Sequence, residues 1–442
     1  MAVVKPFRGI RYNPERFDNM QVVVSQPYDR ISDEFQEKYY NLSPYNIVRI
    51  IQGKIEAGDK AEGPNVYTRA KAFYQQWVKE GVLKRDEHPS YYAYEQTFTV
   101  DGKQYTRLGL IAAVQLTDFS EGVILPHEKT HSGPKEDRLR LLTTMEANSE
   151  QIFMLYPDPE NKVNALIHQS IDSAKPDLDI VEIFENGVRQ RVWRITDPQI
   201  LAAIQQEMEP KRNLIIADGH HRYETGLNYR NAQRQKYPNA PANAAFNFVA
   251  TTLVSMDDPG LVILPTHREI CNFTAVTPAQ ILDRAKANFT VEASPDLQTM
   301  LKTINAHPTG HAFGFYDGKA FYVLTLKDEK LAQTLIKDDH APEWKNLAVS
   351  ILHKVLLEQV AEVPLQGIED KSQIRYHRDA QEAVDNVKNG LGNFVFFVSP
   401  TRMEHIKACA AHGEKMPQKS TDFYPKVISG LTLLPLNPEE QI

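Results

Sequence analysis

The feature that most constrains this 442-residue chain is a short apolar run that ends in a charged turn and feeds a helix. Asn213 to Ala217 reads as a buried strand, and Asp218-Gly219-His220-His221-Arg222 follows without a spacer. From about Tyr223 to Lys236 the pattern is helical. Such a junction suits an anion, because the first turn of a helix has N–H groups without intrahelical acceptors and lies at the positive end of the dipole. Gly219 lets a phosphate approach the backbone closely. Arg222 can fork two phosphate oxygens and keeps its charge. His220 and His221 can donate hydrogen bonds or move a proton near neutral pH. Asp218 could hold a magnesium ion or accept the proton of a substrate hydroxyl. The plainer alternative is a turn whose aspartate caps a helix and whose histidines fill space.

Other segments fix the class. Val66 to Glu80 is helical, with Ala70, Phe73, Tyr74 and Trp77 on one face. Tyr91–Val100 and Tyr105–Leu116 flank Asp101-Gly102, a hairpin signal. Gln21–Ser25 and Asn46–Gln52 read as strands, as do Phe246–Ser255 and Leu261–Leu264. Helices are expected from Pro134 to about Asn148 and from Pro198 to Met208. The last third alternates strands (312–316, 321–326, 393–398) with helices (342–360, 379–388, 402–411). Strands and helices are mixed throughout, so the expected class is α/β, in the sense of mixed α+β.

At this length two domains are expected: 1–270, holding the strand–turn–helix segment, and 271–442, contributing a loop from Lys419 to Lys426. A net charge of −7 supplies no basic field, so no nucleic-acid partner is expected. No apolar run approaches the ~18 residues of a membrane span, and Met1 to Gly9 shows no signal-peptide pattern. Two cysteines make neither a disulfide framework nor a cysteine zinc site, so the expected setting is the cytoplasm, with no structural zinc.

Four further polar clusters are candidates. His127-Glu128-Lys129-Thr130-His131 matches the zinc-protease pattern by letter, but Pro126 before it and Ser132-Gly133-Pro134 after it leave no room for the helix that chemistry needs. It reads as a loop, with His127 and Glu128 as site residues. Lys135 and Arg138, in the first turn of the next helix, are either solvated charges or a second phosphate clamp. His267 and Arg268 follow a strand and a proline and could face a site at a sheet edge. Lys419, Ser420, Thr421 and Lys426 lie in a proline-containing loop that suits phosphate or a plain basic surface.

Around the central turn, the order helix, strand, turn, helix, strand is similar to the ParB and sulfiredoxin-like fold, whose phosphate turn carries a comparable glycine and basic residues. That resemblance spans about residues 190–270 and implies nucleotide binding; small-molecule kinases that phosphorylate free serine share the fold. Over the whole chain, Gln26-Pro27-Tyr28-Asp29, Ser43-Pro44-Tyr45-Asn46, His127-Glu128-Lys129-Thr130, Pro134 to Arg138, Ile216 to Thr225, Leu264 to Arg268 and Met416 to Lys426 resemble, in order, the "domain of unknown function 1015" family. Glu150-Gln151 stands where that family's pattern leads one to expect Pro-Ile. The combined expectation is an enzyme moving a phosphoryl group between ATP or ADP and a small hydroxylated metabolite, serine-like by analogy, with magnesium as a candidate cofactor. The alternatives are a phosphomonoester phosphatase and a non-catalytic nucleotide-sensing switch. Oligomeric state is left open.

Overall fold

A computed structural model describes residues 1–128, 133–185 and 187–442. The architecture is mixed α+β, with sheets of both mixed and antiparallel pairing. Two compact units divide the chain. The first comprises Met1–Pro126, Thr130–Val262 and Pro425–Ile442; the second comprises His127–Lys129 and Ile263–Tyr424. Among the described residues no helix is long and apolar enough to cross a membrane.

The first unit is built on a nine-stranded sheet. Across it run Ile124–Pro126, Leu214–Asp218, Ile152–Tyr156, Phe248–Ser255, Lys103–Gln115, Tyr91–Val100, Arg189–Ile195 and Leu178–Val181, with Val4–Lys5 also pairing on Lys103–Gln115. The long hairpin at its centre turns at Asp101 and Gly102, both at positive φ, as a two-residue turn requires. Leu214–Asp218 pairs parallel with Ile124–Pro126 and antiparallel with Ile152–Tyr156. Its residues Leu214 to Ala217 are buried, so the strand's end delivers Asp218 from the core to a half-buried position. Helix Pro198–Met208 buries Ile204 and Met208, with Ile200 and Leu201 packed against the same core.

Two expected strands are corrected. Met20–Val22 is a 3-10 turn, because the Asn19 side chain accepts from Gln21 N. Val48–Ile51 is a short helix started by Asn46, whose side chain accepts from Val48 N at 3.0 Å. The same buried Asn46 donates to Val22 O and Val24 O at 2.8 and 2.9 Å. One side-chain amide thus supplies donors that a neighbouring strand would otherwise have supplied.

The second unit holds a six-stranded antiparallel sheet in the order Phe289–Ser294, Phe321–Leu326, Ala312–Tyr316, Phe394–Phe397, His267–Ile270, Ile374–His377. Helices Leu297–Ala306 and Ala380–Lys388 bury Met300, Ile304, Ala383 and Val384 against it. The single helix expected over 342–360 is instead three pieces, Pro342–Lys345, Ala348–Ile351 and Leu352–Val360. The last is wound as a π-helix, the wide winding that proteins use sparingly.

Candidate functional site

The helix after the central turn starts at His220, three residues before the expected start, and runs to Lys236. His220, His221 and Arg222 therefore form its first turn, and all three are half-buried. Gly219 stands at the cap position with φ +90° and brings no side chain to cap the helix start. The tight bend is possible because a glycine occupies it: a Cβ there would lie 3.0 Å from Arg222 Nε and 3.1 Å from Cζ. Arg222 folds back over that bare backbone. One of its terminal nitrogens donates to Asp218 Oδ2 at 2.7 Å and the other to Gln151 O at 2.6 Å. Its Nε is buried and has no hydrogen-bond partner among the described residues.

Lys426 reaches the same carboxylate, with Nζ 3.2 Å from Asp218 Oδ1. The side chains of Asp218, Arg222 and Lys426 are 19%, 10% and 15% exposed, so the trio is recessed yet open to solvent. Burial by itself would raise the Asp218 carboxyl, but Lys426 and Arg222 override it and hold the group well below the usual carboxylate range. Around Arg222 the balance also favours charge: burial opposes the guanidinium, and Glu150, Asp218 and Asp29 more than offset it.

Glu150 is a second anchor of this cluster. Buried at 8% exposure, it accepts from Tyr28 N at 3.1 Å and from Ser429 Oγ at 3.3 Å, and it lies 3.6 Å from Arg138. Arg138 is buried as well, donating to Ile51 O at 2.7 Å and to Asp137, with its guanidinium over the Tyr28 ring. Burial, with Asp29 and Glu150 nearby, pushes the Tyr28 hydroxyl up to about 12. Lys135 pairs with Glu224, from the second turn of the helix that begins at His220. A cavity of about 40 Å³, enough for a small ion or a water, is lined by Arg138, Glu150, Arg222 and Thr225 with apolar walls from Leu142 and Val249.

The second unit gathers the other candidates. His127 Nε2 lies 2.7 Å from Thr421 Oγ1, and Glu128 Oε1 accepts from Thr421 N at 3.1 Å and from its hydroxyl at 3.0 Å. Arg268 is fully buried, donates to Thr266 O and, at 2.9 Å, to Lys419 O, and lies over the Tyr376 ring. His267 is 2% exposed, and burial, aided by Arg268 and His377, pushes its imidazole down to about 3. Ser420 is buried with its hydroxyl on Pro417 O, while Lys419 is exposed at φ +57°. The second histidine of the His-Glu-x-x-His pattern, His131, lies outside the described residues, as do Lys129, Thr130 and Ser132. Among the described residues no group of three or more His, Cys, Asp or Glu side chains is placed to hold a metal ion.

Each unit thus assembles its own set: Asp218, Gly219, His220, His221, Arg222 and Lys426 in the first, His127, Glu128, Arg268 and Lys419 to Thr421 in the second. A family model described as protein of unknown function (DUF1015) matches residues 4–350. The chain belongs to the DUF1015 family. No curated protein matches this DUF1015 member. Solved structures similar to it include a conserved hypothetical protein from Pyrococcus furiosus, 12% identical over 73% of this chain and 95% of that one, with a TM-score of 0.34. A free serine kinase in complex with AMP is 12% identical over 76% of this chain and 93% of that one, at 0.35. SbnI with a C-terminal truncation, from Staphylococcus aureus, is 11% identical over 74% and 87%, at 0.35. These scores lie below the level at which a fold is shared.

Sequence reasoning did not find Glu150. Its partners Tyr28, Arg138 and Ser429 are distant in sequence, and nothing beside Glu150 announces them.

Proposed function

We propose that this chain is a phosphate-handling enzyme that transfers a phosphoryl group between a nucleotide, ATP or ADP, and a small hydroxylated metabolite. What carries the reading is the convergence of Arg222 and Lys426 on Asp218 at a helix start entered through a glycine. Two cations and a helix N-terminus attract a polyanion, and the guanidinium fork matches phosphate oxygens. In the free protein Asp218 occupies both cations. An entering phosphate would take over their hydrogen bonds and leave the carboxylate able to hold a cation. A magnesium ion held there would neutralise charge on the transferring group. One or two protein carboxylates suffice for magnesium, so Asp218 alone fits that role.

Once the cations turn to the phosphate, Asp218 is a candidate for the magnesium ion or for the substrate hydroxyl's proton. His220 and His221 are suited by type to donate to the transferring group or to receive the hydroxyl proton. Serine is the first acceptor to try, on the local likeness of the turn to the ParB and sulfiredoxin-like phosphate turn.

The test is a melting series with ATP, ADP, CTP and GTP, with and without magnesium, followed by phosphorus NMR with a pool of hydroxylated metabolites. New phosphoester signals are expected. Phosphate released from a phosphoester without nucleotide would instead mean hydrolysis, and a melting shift with no turnover would mean a nucleotide sensor. If His221→Ala and Arg222→Ala both behave as wild type, the site is wrong.

A further inference from the structure

The backbone that carries Lys426 to Asp218 is gripped by side chains of the central hairpin. Three contacts in the first unit do this. Gln96 and Arg107 are directly opposed cross-strand partners in the central hairpin, so their side chains leave the same face of the sheet. Arg107 donates through Nε to Gln96 Oε1 at 3.1 Å and through a terminal nitrogen to Pro425 O. Gln96 completes the ring, its Nε2 donating to Lys426 O at 3.0 Å. The two residues grip consecutive carbonyls, one just before the lysine and one on it.

We propose that Gln96 and Arg107 are positioning residues that hold Lys426 at the phosphate site. The inference rests on the phosphate reading of Asp218, Arg222 and Lys426, and it adds the device that sets the lysine's reach. Arg107 is 1% exposed, and a desolvated guanidinium is costly unless it is hydrogen-bonded. Burial pushes its pKa down to about 10, with Tyr94 and Asp258 acting the other way. Asp258 spends hydrogen bonds on Leu108 N, Asn164 and Gly260 N. Among the groups Arg107 reaches are Gln96, Pro425 O and the face of Phe153, 4.7 Å away. A planar fork that binds one amide oxygen and one backbone carbonyl fixes a peptide better than a flexible ammonium does. The Pro425 ring limits the remaining backbone freedom.

The test uses ADP titrations on the full chain, read by calorimetry, for wild type, Lys426→Ala, Arg107→Met, Gln96→Leu and the two double variants with Lys426→Ala. Arg107→Met and Gln96→Leu are each expected to weaken ADP about 10-fold or more. In the Lys426→Ala background neither should weaken it further, since the clamp acts through that lysine. Arg107→Lys should recover part of the loss. Losses that add in full to that of Lys426→Ala would show a general packing defect and overturn the clamp. Full affinity in both single variants alongside a loss in Lys426→Ala would overturn the clamp and leave the phosphate reading intact. Undiminished binding by Lys426→Ala would overturn both. Should Arg107→Met fail to fold, Gln96→Leu carries the same comparison, because it removes one grip and keeps the arginine.

Discussion

Lys426 Nζ lies 3.2 Å from Asp218 Oδ1 across 208 positions of sequence, and the pair is partly sealed from solvent. Together with Arg222 it keeps the Asp218 carboxyl ionised far into acid. Asp218 is held below its unfolded value of about 3.9, so it contributes stability above that pH, and the contribution is lost as pH falls through the window beneath. Lys426→Met removes the cation that weighs more on Asp218. The variant should be less stable than wild type at pH 7, and the gap should narrow in acid, because Asp218 of the folded variant takes up its proton at a higher pH than Asp218 of the folded wild type. Urea midpoints from about pH 7 down to about pH 2 measure this, and a gap that stays constant over the whole range would show that the pair is not electrostatic.

Gly219→Ala tests the bend itself. The residue sits at φ +90°, and an added Cβ would lie 3.0 Å from Arg222 Nε. A non-glycine residue in such a region costs about 1–3 kcal/mol, and the arginine must move as well. The expected outcome is a loss of that size in chemical denaturation, accompanied by weaker nucleotide binding. Unchanged binding would detach Arg222 from the ligand.

The strand, the glycine bend and the helix after it were legible because everything that makes them is local: an apolar run, a residue free to take positive φ, and a polar stretch that suits a helix start. The Asp101-Gly102 hairpin was legible for the same reason. What was not legible came from afar. Arg222 donates to Gln151 O, 71 positions away, and nothing near Gln151 announces an arginine. Glu150 reads as an ordinary polar residue until Arg138, Tyr28 and Ser429 are seen around it. Gln21–Ser25 and Asn46–Gln52 carry strand-like composition, but the Asn46 side chain replaces the partner strand they would need. Periodicity reports which face is buried and is silent on which polar group finishes the hydrogen bonding.

Glu150 accordingly supports a prediction of its own. Glu150→Gln keeps the shape and removes the charge between Arg138 and Arg222, leaving a buried guanidinium with one anion fewer. A loss of about 1–3 kcal/mol is expected, the cost of a buried polar group left short of its partner. Ligand affinity should change separately: if the Glu150 charge restrains Arg222, its removal should tighten ADP while the fold weakens. Parallel denaturation and calorimetry measure the two effects, and equal losses in both would make Glu150 a packing residue only.

His267 separates a structural histidine from a site histidine. Its ring is buried against Phe397 at 5.0 Å, accepts from Val398 N at 3.4 Å, and is pushed down to about 3. The folded protein therefore keeps it neutral while the unfolded chain takes up a proton below about pH 6.5. Its contribution to stability is present above that pH and drains away as pH falls toward 3. His267→Phe keeps the ring packing and removes both the acceptor and the titration. The variant should be less stable than wild type at pH 8, by about 1–3 kcal/mol for the orphaned N–H, and should close that gap by pH 4. Nucleotide binding should be unaffected, because a neutral ring sealed in the second unit offers an anion no charge. Imidazole NMR from pH 8 to 4 checks the premise directly: a His267 signal that titrates near 6.5 would mean the ring meets water, and its place among candidate ligand-binding residues would have to be reopened.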